Sequence, residues 1–264
     1  MKMNFRRLIK MKKIVFAAFA AIALVFTGCA KKNNVEIKGA ADLEGKVIGV
    51  QEGTTGESYV KGVKDASCKS FKSGIDASLA LVNGSLDAVV LDELPAKEIV
   101  KRNSKLMIVN DKFSSEEYAI AVKKGNTELL NSINSTISRI KADGTYEKLV
   151  NIFMPADGEI KLPNKIETSG EVLRMGTNAA FPPFEYVDSV EPVGFDITIS
   201  QMIAHDAGRK LVVADMSFDA LIAALQSGSV DFVAAGMTAT EERKQNVDFS
   251  EPYFSTNQVI IVRK

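Results

Sequence analysis

Three stretches of this chain carry residue types and spacings suited to holding a small charged molecule. In Thr238-Ala239-Thr240-Glu241-Glu242-Arg243 an arginine sits at a helix start, behind hydroxyls and acids. A guanidinium can hold a carboxylate by two parallel hydrogen bonds, which a lysine cannot. The plainer use of Arg243 is a surface ion pair with Glu241 or Glu242. Gly53-Thr54-Thr55-Gly56 follows an apolar strand and opens a helix. Backbone N–H groups and hydroxyls at such a turn can clamp an anion, although a Thr there is most often a helix cap. Asp92 ends another buried segment. It can hold a cation, or it can cap a helix whose first turn Pro95 suits. His205 is the single histidine, with no second His or Cys near it, so no metal site is expected.

Strands alternating with helices must position these groups. Apolar strands are expected at Val47–Val50, Cys68–Lys72, Asp87–Leu91, Leu106–Val109 and Tyr118–Val122. Helices are expected from Gly56 to about Val63, over Asp76–Val82 with Asn83-Gly84 as its stop, and over Leu94–Lys101. Asn126–Ala142 is amphipathic, with Leu129, Ile133, Ile137 and Ile140 on one face, and Tyr146–Phe153 follows it. Pro155 to Gly170 has no periodicity and reads as a linker. Beyond it come a strand at Val172–Gly176, a hairpin at Glu185–Val187 and Pro192–Gly194, and a helix over Phe195–Ala207. Leu211–Ala214, Phe218–Gln226, Asp231–Ala234 and Val259–Val262 read as strand, helix, strand and strand. This alternation implies an α/β fold around largely parallel sheets, with ligands at the carboxyl ends of the strands. The run Ile75–Val89 also echoes Phe218–Val233: each is a helix, a Gly-Ser turn, a Leu-Asp or Val-Asp pair and a buried strand.

The 264 residues are 46% hydrophobic, enough for a packed core. The formal net charge of zero hides an asymmetry. Residues 1–28 carry Lys2, Arg6, Arg7, Lys10, Lys12 and Lys13 and no acid, which leaves 27 bases against 33 acids in the rest. An acidic body argues against a nucleic-acid partner. The basic start, followed by an apolar run from Ile14 to Phe26, reads as a secretory signal and is too short for a comfortable membrane span. Met11 is an alternative start. Phe26-Thr27-Gly28-Cys29 resembles a lipobox in which Cys29 is acylated, with Phe26 where Leu is usual. Residues 30–41 then read as a polar tether. With Cys29 lipidated, Cys68 has no disulfide partner in the chain and reads as a small core residue.

Three blocks carry a family resemblance. Val47-Ile48-Gly49-Val50-Gln51-Glu52-Gly53-Thr54-Thr55-Gly56, Gly176-Thr177-Asn178-Ala179-Ala180-Phe181-Pro182-Pro183-Phe184-Glu185-Tyr186 and Thr240-Glu241-Glu242-Arg243-Lys244 are similar to segments of family 3, the polar amino-acid family, of type II periplasmic solute-binding proteins. In that family the GTNAAFPPFEY-like and TEERK-like blocks come first and the GTTG-like block follows. Here the order is swapped, which implies a circular permutation of a two-lobed α/β fold with a hinge. The resemblance then divides the chain into a signal peptide at 1–28 and a lipidated tether at 29–36. Lobe 2 takes 37–114 plus 258–264, and lobe 1 takes 118–253 including the linker 155–171. Hinges fall near 114–117 and 254–257.

The resemblance also implies roles. Arg243 and the Thr238 hydroxyl hold the ligand's α-carboxylate, helped from the other lobe by Thr54 and Thr55. Asp92 and the Gly236 carbonyl hold its ammonium. Phe181 and Phe218 sandwich its side chain, while Phe184 belongs to the core. Asn178 and Gln51 read the side chain and supply donors and acceptors without charge, which leans towards a polar ligand and weakens an arginine or lysine specialist. The implied protein is an extracytoplasmic lipoprotein, in the periplasm or at the cell surface. Its partners are a free polar amino acid, the permease of an ABC transporter and, through the lipid anchor, the membrane. It has no cofactor and is not an enzyme. The rivals are a dehydratase-like enzyme on the same fold and a ligand-sensing receptor module.

Overall fold

The computed structural model describes residues 36–109, 111 and 114–264. The signal segment 1–28, Cys29 and the tether up to residue 35 lie outside the described residues. Residues 37–264 form one compact unit. Its core begins earlier than a tether running to residue 41 allows. Ile37 is buried, and Ala40–Leu43 is a 3-10 turn that buries Leu43, because two local apolar residues find a sheet to cover.

The first half of the unit is built on β1 (Val47–Gln51), α1 (Thr55–Lys61), β2 (Ser67–Phe71), α2 (Gly74–Val82), β3 (Ala88–Asp92), α3 (Glu93–Arg102) and β4 (Leu106–Val109). Strands β1, β2 and β3 run parallel. β1 and β3 are near-continuous apolar runs because helices cover both faces. β2 is an edge strand, so Cys68 is only half-buried, against the margin of the core rather than inside it.

The chain then leaves this half through β5 (Glu116–Tyr118) and enters the second sheet at β6 (Ala121–Lys123). One strand over Tyr118–Val122 was expected there; the structure has two, separated by Ala119-Ile120. The two segments pair with different partners, so one ladder cannot run through both. The second half continues with α4 (Thr127–Ala142) and α5 (Thr145–Phe153). Leu129, Ile133, Ile137 and Ile140 are buried along α4, the stripe its periodicity requires.

Residues 155–170 contain no helix or strand. They are nonetheless fastened: Thr168 Oγ1 accepts from the Leu211 N–H at 3.0 Å, and Gln201 Oε1 from the Ile166 N–H at 3.3 Å. Next come β7 (Val172–Thr177), β8 (Ala180–Phe181), β9 (Glu185–Asp188), β10 (Glu191–Val193), α6 (Phe195–Asp206), β11 (Lys210–Asp215), α7 (Leu221–Ser227), β12 (Phe232–Val233), α8 (Glu241–Lys244) and β13 (Val247–Phe249). The chain returns through β14 (Phe254–Thr256), which pairs antiparallel with β5, and ends in β15 (Gln258–Arg263). Strands as short as β8, β13 and β14 show too little alternation for their sequence to announce them.

The two sheets share one plan. The first has the order β2-β1-β3-β15-β4 and the second β11-β7-β12-β6-β13. In each, the fourth strand is antiparallel to its neighbours and arrives by a crossing from the other half. In the second half and the crossing segments beside it, Tyr118, Phe184, Phe195, Tyr253 and Phe254 pack ring against ring, with Phe184 fully buried.

Candidate functional site

The carboxyl ends of the parallel strands in both halves open on one cavity. Gln51, Thr54, Thr55 and Asp92 line it from the first half. Asn178, Phe181, Phe218, Gly236, Thr238 and Arg243 line it from the second, so all ten residues singled out in the sequence meet there. Val90, Leu91, Glu185, Ala235 and Gln258 complete the wall. The side chains leave about 20 Å³ of free space, room for roughly one water. That space is too small for a molecule of amino-acid size in this conformation.

Asp92 ends β3 and precedes α3, yet its side chain makes no cap hydrogen bond to that helix. Instead Tyr118 Oη donates to one carboxylate oxygen and Gln258 Nε2 to the other. The group is 8% exposed. Burial, followed by the nearby charge of Glu116, raises its pKa from an ordinary 3.8 to about 7, against the opposing pull of Tyr118, Gln258 and Arg243. Thr54 does act as a cap. Its hydroxyl accepts from the Glu57 N–H at 3.3 Å and donates to the Gln51 carbonyl at 2.7 Å, so it is not spare for a ligand. Thr55, one residue on, points its hydroxyl across the cleft and donates to Glu116 Oε2 at 2.7 Å. Gln51 Nε2 donates to Asn178 Oδ1 at 2.9 Å, joining the halves at the uncharged end of the cavity.

On the second half, Arg243 follows a helix start capped by Thr240. Its Nη1 donates to the Thr238 carbonyl at 2.8 Å and its Nη2 to the Gly53 carbonyl of the first half at 2.9 Å. The guanidinium lies 5.3 Å from the centre of the Phe218 ring, a cation–π contact that holds it flat. This placement differs from a surface pairing with Glu241 or Glu242. Burial lowers the pKa of Arg243 from its ordinary value, while the charges of Glu116 and then Asp92 oppose that shift. The Thr238 hydroxyl donates to Glu116 Oε2 at 2.6 Å. The Gly236 N–H donates to Asp196 Oδ2 at 2.9 Å, and Tyr253 Oη donates to the same oxygen at 2.6 Å. Burial carries Asp196 up to about 6. It also holds Glu185 well above the usual carboxylate range, with Asp196 beside it as the next cause.

Four polar residues at the site were not singled out in the sequence: Glu116, Tyr118, Glu185 and Gln258. Glu185 stood within the GTNAAFPPFEY-like block but carried no distinguishing signal. Glu116, Tyr118 and Gln258 sit on or beside the two crossing segments, where strands of three residues give no pattern to read. An acid before an apolar run was the one cue to Glu116, and it is a common one.

Residues 22–156 and 173–264 match the bacterial extracellular solute-binding proteins, family 3, and the chain belongs to that family. Its fold is the two-sheet α/β architecture of type II periplasmic binding proteins. The chain is 45% identical over 98 residues to the arginine-binding extracellular protein ArtP of Bacillus subtilis, covering 37% of this chain and 38% of that one. It is 37% identical over 115 residues to a putative ABC transporter arginine-binding protein 2 of Escherichia coli, covering 41% and 47%. It is 32% identical over 148 residues to the L-cystine-binding protein TcyJ of Escherichia coli, covering 55% and 56%. The matches thus span between about two fifths and just over half of the length of these relatives.

Proposed function

We propose that this chain captures a free polar amino acid between its two halves and delivers it to an ABC importer. The observation that carries the reading is the convergence of a partly buried cation from one half and a buried acid from the other on a single cavity. Arg243 and the Thr238 and Thr55 hydroxyls suit an α-carboxylate, and Asp92 with the Gly236 carbonyl suits an α-ammonium. Gln51 and Asn178 offer uncharged donors and acceptors to the side chain, with Phe181 and Phe218 as apolar walls. A ligand that touches both halves favours their closure, which is a shift in a hinge equilibrium. The hinge falls near 114–117 and 254–257. The named relatives, two arginine binders and one cystine binder, support a polar amino acid as the class.

The finer parts of the proposal follow. Residues 1–28 are removed as a signal peptide and Cys29 carries the lipid that holds the protein at the outer face of a membrane. The chain is a circular permutation of the family's order, with lobe 2 formed by 37–114 plus 258–264 and lobe 1 by 118–253. Support comes from the swapped order of the sequence blocks and from the break in the family match at 157–172, the stretch read as a linker. A chain rebuilt as 171–264 followed by 36–154 should fold and bind the same amino acid; a folded rebuilt chain without binding would count against the permutation.

Thermal unfolding of the purified chain against the twenty amino acids tests the central reading. A ligand that binds only the folded state raises the midpoint by mass action. One or two polar amino acids should raise it; a sharp transition that none of the twenty moves would sink the proposal.

A further inference from the structure

Glu116 opens the crossing strand β5 and is 9% exposed. Its Oε2 accepts from Thr55 Oγ1 at 2.7 Å and from Thr238 Oγ1 at 2.6 Å, and its Oε1 accepts from Ser114 Oγ at 3.3 Å. Thr55 belongs to the first half and Thr238 to the second. The same two hydroxyls, with Arg243, are the groups that suit a ligand carboxylate. Arg243 feels the charge of Glu116 more strongly than that of any other acid. A carboxylate of the protein therefore lies across the donors that a carboxylate of the ligand would use.

We propose that Glu116 is a built-in occupant of the carboxylate subsite, which an entering ligand must displace with a carboxylate of its own. The inference rests on the amino-acid-binding reading and sharpens it: the site selects molecules with a free carboxylate and rejects amines and amides. The physical reason is charge. Two carboxylates sharing one set of donors repel, so the ligand's carboxylate and that of Glu116 exclude each other. An amide brings no negative charge for Arg243 and leaves Glu116 the better occupant. Until it is displaced, Glu116 fastens the two halves to each other by two charge-assisted hydrogen bonds. Displacement frees β5, which is itself one of the two connections between the halves, so arrival of the carboxylate acts on the segment about which the halves turn.

The test uses the full chain, with L-arginine and L-argininamide as probes and titration calorimetry as the readout. Glu116→Gln keeps a carbonyl oxygen for both threonines and removes the charge. It should bind L-arginine about tenfold more tightly than the wild type, and the wild type should prefer L-arginine to its amide by about 100-fold. Weaker or unchanged binding of L-arginine by Glu116→Gln overturns the proposal, because Glu116 would then be a ligand contact or a bystander. X-ray scattering without added ligand gives a second readout. Glu116→Ala should show a larger radius of gyration than the wild type and should contract when L-arginine is added. Equal radii overturn the fastening role. If the wild type responds to none of the twenty amino acids, the binding function itself fails, while the scattering comparison still decides whether Glu116 holds the halves together.

Discussion

The two halves of this protein share a plan and differ in charge where it matters. In the first, α2 ends at Val82 with Asn83 as its C-cap, Gly84 follows with φ +80°, and the chain turns into β3 through Ser85 and Asp87. In the second, α7 ends at Gly228, with φ +79°, and the chain turns into β12 through Ser229 and Asp231. The serine N–H reaches back to Ala80 in one and to Ala224 in the other, at 3.0 and 2.9 Å. Asp87 accepts from the Val47 N–H and returns its own N–H to the Val47 carbonyl, at 2.8 and 2.7 Å. Asp231 does the same with Arg174, at 2.7 and 2.8 Å. The copies part company at the ends of the strands. β3 ends in the acid Asp92, whereas β12 runs on to Gly236, Thr238 and Arg243. One scaffold thus presents an anion from one side of a cleft and a cation from the other, which a zwitterion can bridge.

The largest expected effects come from breaking that complementarity. Arg243→Ala should weaken binding of the amino acid found by thermal shift by at least about 100-fold, since it removes the partly buried cation that faces the ligand's carboxylate. Asp92→Asn should weaken it to a similar degree at pH 8 and also change its pH dependence. The folded protein raises Asp92 from 3.8 to about 7 and Asp196 from 3.8 to about 6, so it holds these protons more tightly than the unfolded chain does. The stability they contribute is complete below about pH 4 and is lost as pH rises through about 6 and 7. Binding of an ammonium at Asp92 needs the ionised form, so wild-type affinity should climb between pH 5 and 8. In Asp92→Asn that climb should be flattened. A pH profile unchanged by the substitution would break the assignment of the anionic side.

A middle-sized effect probes the shared plan. Asp87→Ala and Asp231→Ala each orphan a strand N–H and should cost about 1 kcal/mol in urea unfolding. Asp231 also holds the half-exposed Arg174 by two parallel hydrogen bonds, at 3.1 and 2.9 Å, which should add up to about 1 kcal/mol to its cost. A much larger cost for Asp231→Ala would show that the halves are held differently. The smallest effect is at the turns. No atom lies within 4 Å of a Cβ added at Gly84 or Gly228, so alanine there costs only the left-handed backbone, about 1 kcal/mol at each. Unequal shifts in midpoint would mean that the echo in sequence is not an echo in energy.

Much of this molecule is legible locally. The stripe on α4, the Asn83-Gly84 stop and the apolar runs of β1 and β3 follow from periodicity and turn chemistry, which act between near neighbours. Of the ten residues that line the cavity, Gln51, Thr54, Thr55, Asn178, Phe181 and Arg243 were legible because they sit in blocks whose spacing is itself a pattern, whereas Asp92, Phe218, Gly236 and Thr238 lie outside those blocks and were placed by the family resemblance. The competing uses of the same residues were not separable in sequence. Thr54 caps its helix and Asp92 does not, although both precede a helix start. Only the packing around each decides, because Tyr118 and Gln258 hold the Asp92 carboxylate away from the helix that follows it.

The sequence by itself determined the strand–helix alternation, the repeated helix–turn–strand unit and the charged groups available to a ligand. Each depends on contacts across a few residues. The tertiary structure decided which distant groups meet. Glu116 joins Thr55 to Thr238 across separations of 61 and 122 residues, and Gln258 reaches Asp92 across 166. Those meetings require two crossing strands to pass side by side and deliver an antiparallel strand into each sheet. That geometry belongs to the closed chain as a whole and leaves no local pattern in any one segment.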